Sequence, residues 1–96
     1  MAGLVYSFDS RKASANLRKH GISFDEATEV FLDPNARTLP DHDHSDEEDR
    51  FVTLGMSKKR RILFVVHTEF VENQLRIISA RKATRQERKQ YEEAEL

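Results

Sequence analysis

The sequence predicts an α+β domain, a mostly antiparallel sheet with helices packed on it, in the order β-α-α-β-β-β-β-α. Three observations lead there: two capping-box patterns that open helices, an unbroken apolar run at 61–68, and short polar turns on either side of that run. With 96 residues, 38% of them hydrophobic, the chain makes one small domain over 1–96 around a single core.

Residues 4–8 alternate, with Leu4, Tyr6 and Phe8 against Val5 and Ser7, as a half-buried strand does. Asp9 or Ser10 can cap a helix that runs to about His20, and Gly21 can stop it. The apolar stripe of this helix is narrow, Ala13 and Leu17, and Lys12, Asn16 and Lys19 share another face. Ser23 and Glu26 form a capping box, preceded by Ile22 as a hydrophobic staple. Phe24, Ala27, Val30 and Phe31 follow at helical spacing, and Asp33-Pro34-Asn35 ends the second helix. Residues 36–39 can form a short strand. Residues 50–56 alternate, with Val52, Leu54 and Met56 on one side and Phe51 and Thr53 on the other. The run from Arg61 to Thr68 reads as a central strand covered on both faces, joined to the preceding one through a turn at Ser57 to Arg60. A polar turn at Glu72-Asn73 leads into the last strand, 74–81. Thr84 and Glu87 then make a second capping box, opening a helix that includes Tyr91.

Charge is high but balanced, 34% of residues with a net of −1, and very unevenly placed. Residues 1–49 carry 5 Lys+Arg against 11 Asp+Glu, and residues 50–96 carry 11 against 6. The acidic excess sits in the run 41–49 and the basic excess in Lys58-Lys59-Arg60-Arg61 and in the tract from Arg76 to Lys89. Such asymmetry suits either a nucleic-acid surface or simply a solvated acidic loop and a solvated basic helix. The absence of cysteine excludes disulfides, thiolate chemistry and cysteine-ligated zinc. No stretch approaches the roughly 20 apolar residues of a membrane span, and the first residues lack the basic and apolar regions of a signal peptide. The expectation is a soluble cytoplasmic domain.

Several segments together resemble one family. His20-Gly21-Ile22-Ser23-Phe24-Asp25-Glu26-Ala27, followed by Val30-Phe31-Leu32-Asp33-Pro34, is similar to the signature of BrnT-type toxins. So are His44-Ser45-Asp46 with Arg50-Phe51, Val66-His67-Thr68-Glu69, and Arg76-Ile77-Ile78-Ser79-Ala80-Arg81-Lys82-Ala83-Thr84 with Glu87 and Tyr91. The match spans roughly residues 6–93 in order. The resemblance implies a compact RelE-like fold and the toxin half of a type II toxin–antitoxin pair that cleaves RNA and so inhibits translation and growth. It further implies neutralisation by a BrnA-type antitoxin with a ribbon-helix-helix domain, with two toxins on an antitoxin dimer and DNA reached only through the antitoxin. The turn Phe70-Val71-Glu72-Asn73-Gln74 departs from the family pattern in carrying no basic residue, so phosphate contacts are not expected there.

Metal-independent RNA cleavage needs a base for the 2′-hydroxyl, positive charge for the phosphorane and an acid for the leaving 5′-oxygen. Histidine suits the proton transfers and arginine the charge. His67 ends the apolar run on the strand face of Leu63 and Val65, at the rim of the sheet. It serves there either as catalyst or as a hydrogen-bonded structural histidine. Arg76 and Arg81 are the candidate catalytic cations. Their odd separation points them to opposite faces, although Arg81 stands where strand parity ceases to decide. Lys12, Lys19, His20 and Ser79 are candidate RNA contacts, with a helix-end role for His20 and a structural role for Ser79 as the plainer readings. Arg85, Arg88 and Lys89 are complementary to an acidic, helical antitoxin segment. Asp41-His42-Asp43-His44 contains metal-ligating residue types, but the spacing is loose and no second cluster completes it, so neither a metal nor a cofactor is expected. The alternative to a ribonuclease is a non-catalytic RNA-binding or protein-interaction module on the same fold.

Overall fold

A computed structural model describes residues 5–41, 50–68 and 71–93. The strands are β1 (Val5–Ser7), β2 (Arg37–Pro40), β3 (Arg50–Met56), β4 (Ile62–Thr68) and β5 (Gln74–Lys82). The helices are α1 (Ser10–His20), α2 (Phe24–Thr28) with a 3₁₀ turn at Glu29–Leu32, and α3 (Arg85–Glu93). The strands form one sheet in the order β1-β5-β4-β3-β2. Every pairing is antiparallel except β1 with β5. The parallel pair arises because the chain leaves β1 through two helices and returns to β1's side only with its last strand. The expected α+β architecture and element order are present.

Local chemistry sets the helix ends. The Asp9 carboxylate accepts from the backbone N–H of Arg11 (2.8 Å) and Lys12 (3.2 Å) and caps α1. Gly21 closes it at φ 71°, a left-handed conformation that an L side chain resists, with its N–H on the Leu17 carbonyl. Ser23 Oγ accepts from Glu26 N at 3.0 Å, which is half of the expected capping box. The other half is not made, because the Glu26 carboxylate is turned inward to accept from Ser57 Oγ (2.7 Å) and the Arg61 guanidinium. The Arg61 hydrogen bond, helped by Ser57, outweighs burial and holds the Glu26 carboxyl below its usual range. By contrast, the second box is complete. Glu87 N donates to Thr84 Oγ1 and Thr84 N donates to Glu87 Oε1, at 3.2 and 2.8 Å.

One sheet face carries the core. Ile22, Phe24, Ala27 and Val30 pack from α2 and its flanks onto Leu63, Val65, Leu75, Ile77 and Ala80. The approach is close enough to demand glycine at position 55. A Cβ there would stand 2.8 Å from Val30 Cβ and 2.9 Å from the Val30 carbonyl oxygen. On the same side α1 departs from its expected stripe: Leu17 is exposed and Asn16 is buried. The cause lies in β5. Strand β1 stops at Ser7, opposite Arg76, so Ala80 has no strand neighbour on that edge. Asn16 takes the place of one. Its Nδ2 donates to the carbonyls of Ala80 (2.8 Å) and Ile22 (2.9 Å), and its Oδ1 accepts from Ala80 N (3.1 Å). This amide thus extends the sheet and joins it to the α1–α2 corner.

Strand β5 also contains a bulge. Ser79 pairs with Val66 but Ile77 pairs with His67, which leaves Ile78 as an extra residue. Leu75, Ile77 and Ala80 are all buried, a pattern that strict alternation cannot produce.

Replacing Asn16 by Ala should lower the unfolding free energy by at least about 2 kcal/mol, because it strands buried backbone groups of Ala80 and Ile22. Leu17→Ala, at an exposed position, should change it by less than about 0.5 kcal/mol. Urea denaturation of the two variants checks both.

Candidate functional site

The bulge decides which side chains meet. Without it Arg76 would point away from Ser79 and Arg81. With Ile78 inserted, Arg76 falls opposite Thr68 while Ser79 faces Val66 and Arg81 faces Phe64, all on the sheet face away from the core. The expected opposition of Arg76 and Arg81 is therefore corrected: both are on one face. Arg50 of β3 pairs with Thr68 and shares that face. Among the described residues α3 is the element that covers this side, and beside it lies a cleft of about 340 Å³ lined by Asp41, Arg50, Phe64, Val66, Ile78, Ser79 and Arg81.

Arg81 is held on three sides. Its guanidinium lies 3.9 Å above the Phe64 ring centroid. Nη1 and Nη2 donate to Glu87 Oε1 and Oε2 at 2.8 and 3.0 Å, and Nη1 also donates to the Lys82 carbonyl at 3.2 Å. Burial raises the Glu87 carboxyl, but the hydrogen bonds from Arg81 and Thr84 N outweigh it and leave it below the ordinary range. Arg76 is exposed on the same face but outside the lining of the cleft, with its backbone N–H on Thr68 Oγ1 at 2.9 Å. Ser79 is half-buried in the cleft.

His67 is not at the rim. It is fully buried between the Phe31 and Phe51 rings, 5.0 and 6.3 Å away between centroids. Nδ1 is 2.7 Å from the Thr68 carbonyl, which can only accept, so Nδ1 carries the proton. Nε2 then accepts from Thr53 Oγ1 (2.7 Å), and Thr53 accepts from Thr38 Oγ1 (2.8 Å). This chain of bonds ties β4 to β3 and β2. Burial lowers the imidazole pKa, and the Thr68 carbonyl offsets only part of that, so the ring is neutral.

The remaining candidates lie elsewhere. Lys12, Lys19 and His20 are on α1, across the sheet from the arginine cleft, and the fold does not bring them to it. Arg85, Arg88 and Lys89 line an exposed depression on α3 with Gln86 and Glu92. Among the described residues no group of three His, Cys, Asp or Glu side chains could hold a metal ion. The loop with His42, Asp43 and His44 lies outside them. No described helix is long and apolar enough to cross a membrane. The sequence offers Asp41 only as part of the acidic run with its metal-ligating residue types and Arg50 only as a motif residue after that run, whereas strand pairing sets Arg50 on Arg81's face.

A five-stranded sheet with one face packed and the other gathering arginines over a shallow cleft defines a small α+β domain with a cationic sheet face. The sequence profile of the BrnT ribonuclease toxins of type II toxin–antitoxin systems matches residues 8–87. The chain belongs to that family. Its structure is similar to the crystal structure of the ribonuclease toxin BrnT of Brucella abortus, with a TM-score of 0.68 and 26% sequence identity over 85% of this chain and 99% of that one. A comparison with curated protein sequences finds no match. Family membership implies an RNA target and an antitoxin partner.

A buried, neutral His67 has a thermodynamic signature. The unfolded chain takes up a proton near the ordinary histidine value of about 6.5, and the folded chain resists it until lower pH. The contribution of the neutral ring should therefore be fully present above about pH 6.5 and decline as the pH falls below it. His67→Gln should be less stable at pH 7.5 and lose most of that decline, as measured by urea unfolding at several pH values.

Proposed function

We propose that the chain cleaves RNA in the arginine-lined cleft on the open sheet face, without a metal ion. The supporting observation is the convergence of Arg50, Arg76, Ser79 and Arg81 on that face, produced by the bulge at Ile78. The reaction is attack of a 2′-hydroxyl on the adjacent phosphorus. The bond to the 5′-oxygen breaks, leaving a 2′,3′-cyclic phosphate and a 5′-hydroxyl. The added negative charge of the phosphorane is what the arginines stabilise, and Arg76 and Arg81 are the catalytic cations of this reading. Ser79 donates a hydrogen bond to a phosphate oxygen. Asp41, the carboxylate lining the same cleft, takes the 2′-hydroxyl proton, and solvent water at the open cleft supplies the proton that the departing 5′-oxygen takes up. His67, enclosed and doubly hydrogen-bonded, holds β2, β3 and β4 in place instead of moving a proton. Lys12, Lys19 and His20 are outlying contacts for flanking RNA.

In the cell this activity acts on cytoplasmic RNA and arrests growth. A BrnA-type ribbon-helix-helix antitoxin silences it, with two toxins on one antitoxin dimer. The exposed cations Arg85, Arg88 and Lys89 of α3 meet an acidic antitoxin segment, where charge speeds the encounter and apolar anchors supply most of the affinity.

Purified chain should cut single-stranded RNA equally well in EDTA and leave cyclic-phosphate ends. Activity abolished by EDTA and restored by a divalent cation would refute the metal-free reading. In binding titrations against salt, Arg76→Ala or Arg81→Ala should each flatten the log–log slope by about 0.7 for one lost phosphate contact. The Lys12→Ala/Lys19→Ala pair should alter binding to long RNA while leaving the cleavage rate of a short oligonucleotide unchanged.

A further inference from the structure

We propose that Glu87 is the positioning residue for Arg81, aiming one edge of its guanidinium into the cleft; this rests on the ribonuclease reading above. A guanidinium has five N–H donors in a plane. Glu87 takes one from Nη1 and one from Nη2, and the Lys82 carbonyl takes the second from Nη1. The donors left over are Nε–H and the second hydrogen of Nη2. These two lie side by side along one edge, the pair that matches two oxygens of a phosphate. The Phe64 ring beneath the guanidinium fixes its plane, and Phe64, Ser79 and Arg81 line the same cleft. The carboxylate thus restricts Arg81's rotation without occupying the edge that faces substrate.

Capping alone does not account for this arrangement. Thr84 N needs only Oε1, whereas Oε2 accepts from Arg81. One side chain therefore starts α3 and orients a cation of the cleft. The first turn of the last helix and the end of the last strand are mechanically joined through it.

Three forms of the full chain separate the two roles. Glu87→Gln keeps an acceptor for Thr84 N but removes the charge that clamps Arg81. Thr84→Ala removes the hydroxyl cap and leaves the clamp. The first readout is the ¹⁵N–¹H signal of Arg81 Nε, identified by its loss in Arg81→Lys, during titration with inorganic phosphate. The second is the single-turnover cleavage rate of a short RNA as a function of pH. The wild type should show a resolved Nε–H signal that moves with phosphate. In Glu87→Gln that signal should merge with those of exposed arginines. The cleavage rate should fall on the order of a hundredfold, with substrate KM changing less than kcat and with the acid limb of the pH profile altered. Thr84→Ala should keep both the signal and the rate while its melting temperature drops. Glu87→Gln with wild-type rate and signal overturns the proposal, as does a Thr84→Ala loss equal to that of Glu87→Gln. If the wild type cuts no RNA yet its Arg81 signal answers to phosphate and depends on Glu87, the ribonuclease reading fails and the positioning role stands.

Discussion

The extra residue at Ile78 is the constraint on which the arrangement of the domain's open face depends. A strand with strict alternation would either bury Arg76 or turn Ser79 and Arg81 into the core. With one residue left unpaired against β4, Leu75, Ile77 and Ala80 all face the helices, and Arg76, Ser79 and Arg81 all face outward. The distortion is supported beside it. Asn16 holds both backbone groups of Ala80, where β1 no longer reaches, so the strand stays anchored just past its irregularity. Bulges next to sites that need several side chains on one face are a general device, and here it converts a core strand into a cationic platform.

Three carboxylates tie elements of this small domain together, and two of them, Glu26 and Asp33, join parts of the chain that are distant in sequence. Glu26 links α2 to the β3–β4 turn through Ser57 and Arg61. Asp33 accepts from Asn35 N and Met56 N and from the Tyr91 hydroxyl, which pins α3 to the end of β3. Burial pushes the Asp33 carboxyl up, but those hydrogen bonds outweigh it and hold it below the usual range. Glu87 joins α3 to β5. With so little apolar surface on α3 beyond Tyr91, directional bonds to charged groups keep that helix on the sheet where packing would not. Among the described residues α3 covers only part of that face, and the cleft lies beside it.

Net charge is a poor guide to the electrostatics of this chain. A total of −1 coexists with an arginine-lined cleft and an exposed, mostly basic helix face, because much of the acidic excess is gathered in one run and further carboxylates, Glu26, Asp33 and Glu87, are engaged by partners. Short range matters most for phosphate: a cation in contact acts at a few ångströms, whereas distant charges are screened beyond about 8 Å at physiological salt. His67 shows the converse. The residue type most suited to proton transfer is here the neutral centre of a hydrogen-bonded chain across three strands.

Much of the fold was legible from local chemistry alone. Asp9, Gly21, Ser23, Thr84 and Glu87 act over three or four residues, so their capping roles follow from spacing. The apolar run at 61–68 marked the middle of the sheet, and motif order marked the family. What lay beyond reach depended on partners far along the chain. Asn16 looked like one member of a polar stripe with Lys12 and Lys19, because its role is set by an edge 64 residues away that β1 leaves open. Glu26 read as a capping-box glutamate, and Arg61, 35 residues on, claimed its carboxylate. Arg76 and Arg81 were set on opposite faces by counting, since a bulge leaves no mark in composition and is expressed only in the register between two paired strands. Periodicity determined which segments are strands and helices, because it is a property of a few neighbouring residues. Only the tertiary structure decided which side chains share a face, because that is a property of pairing.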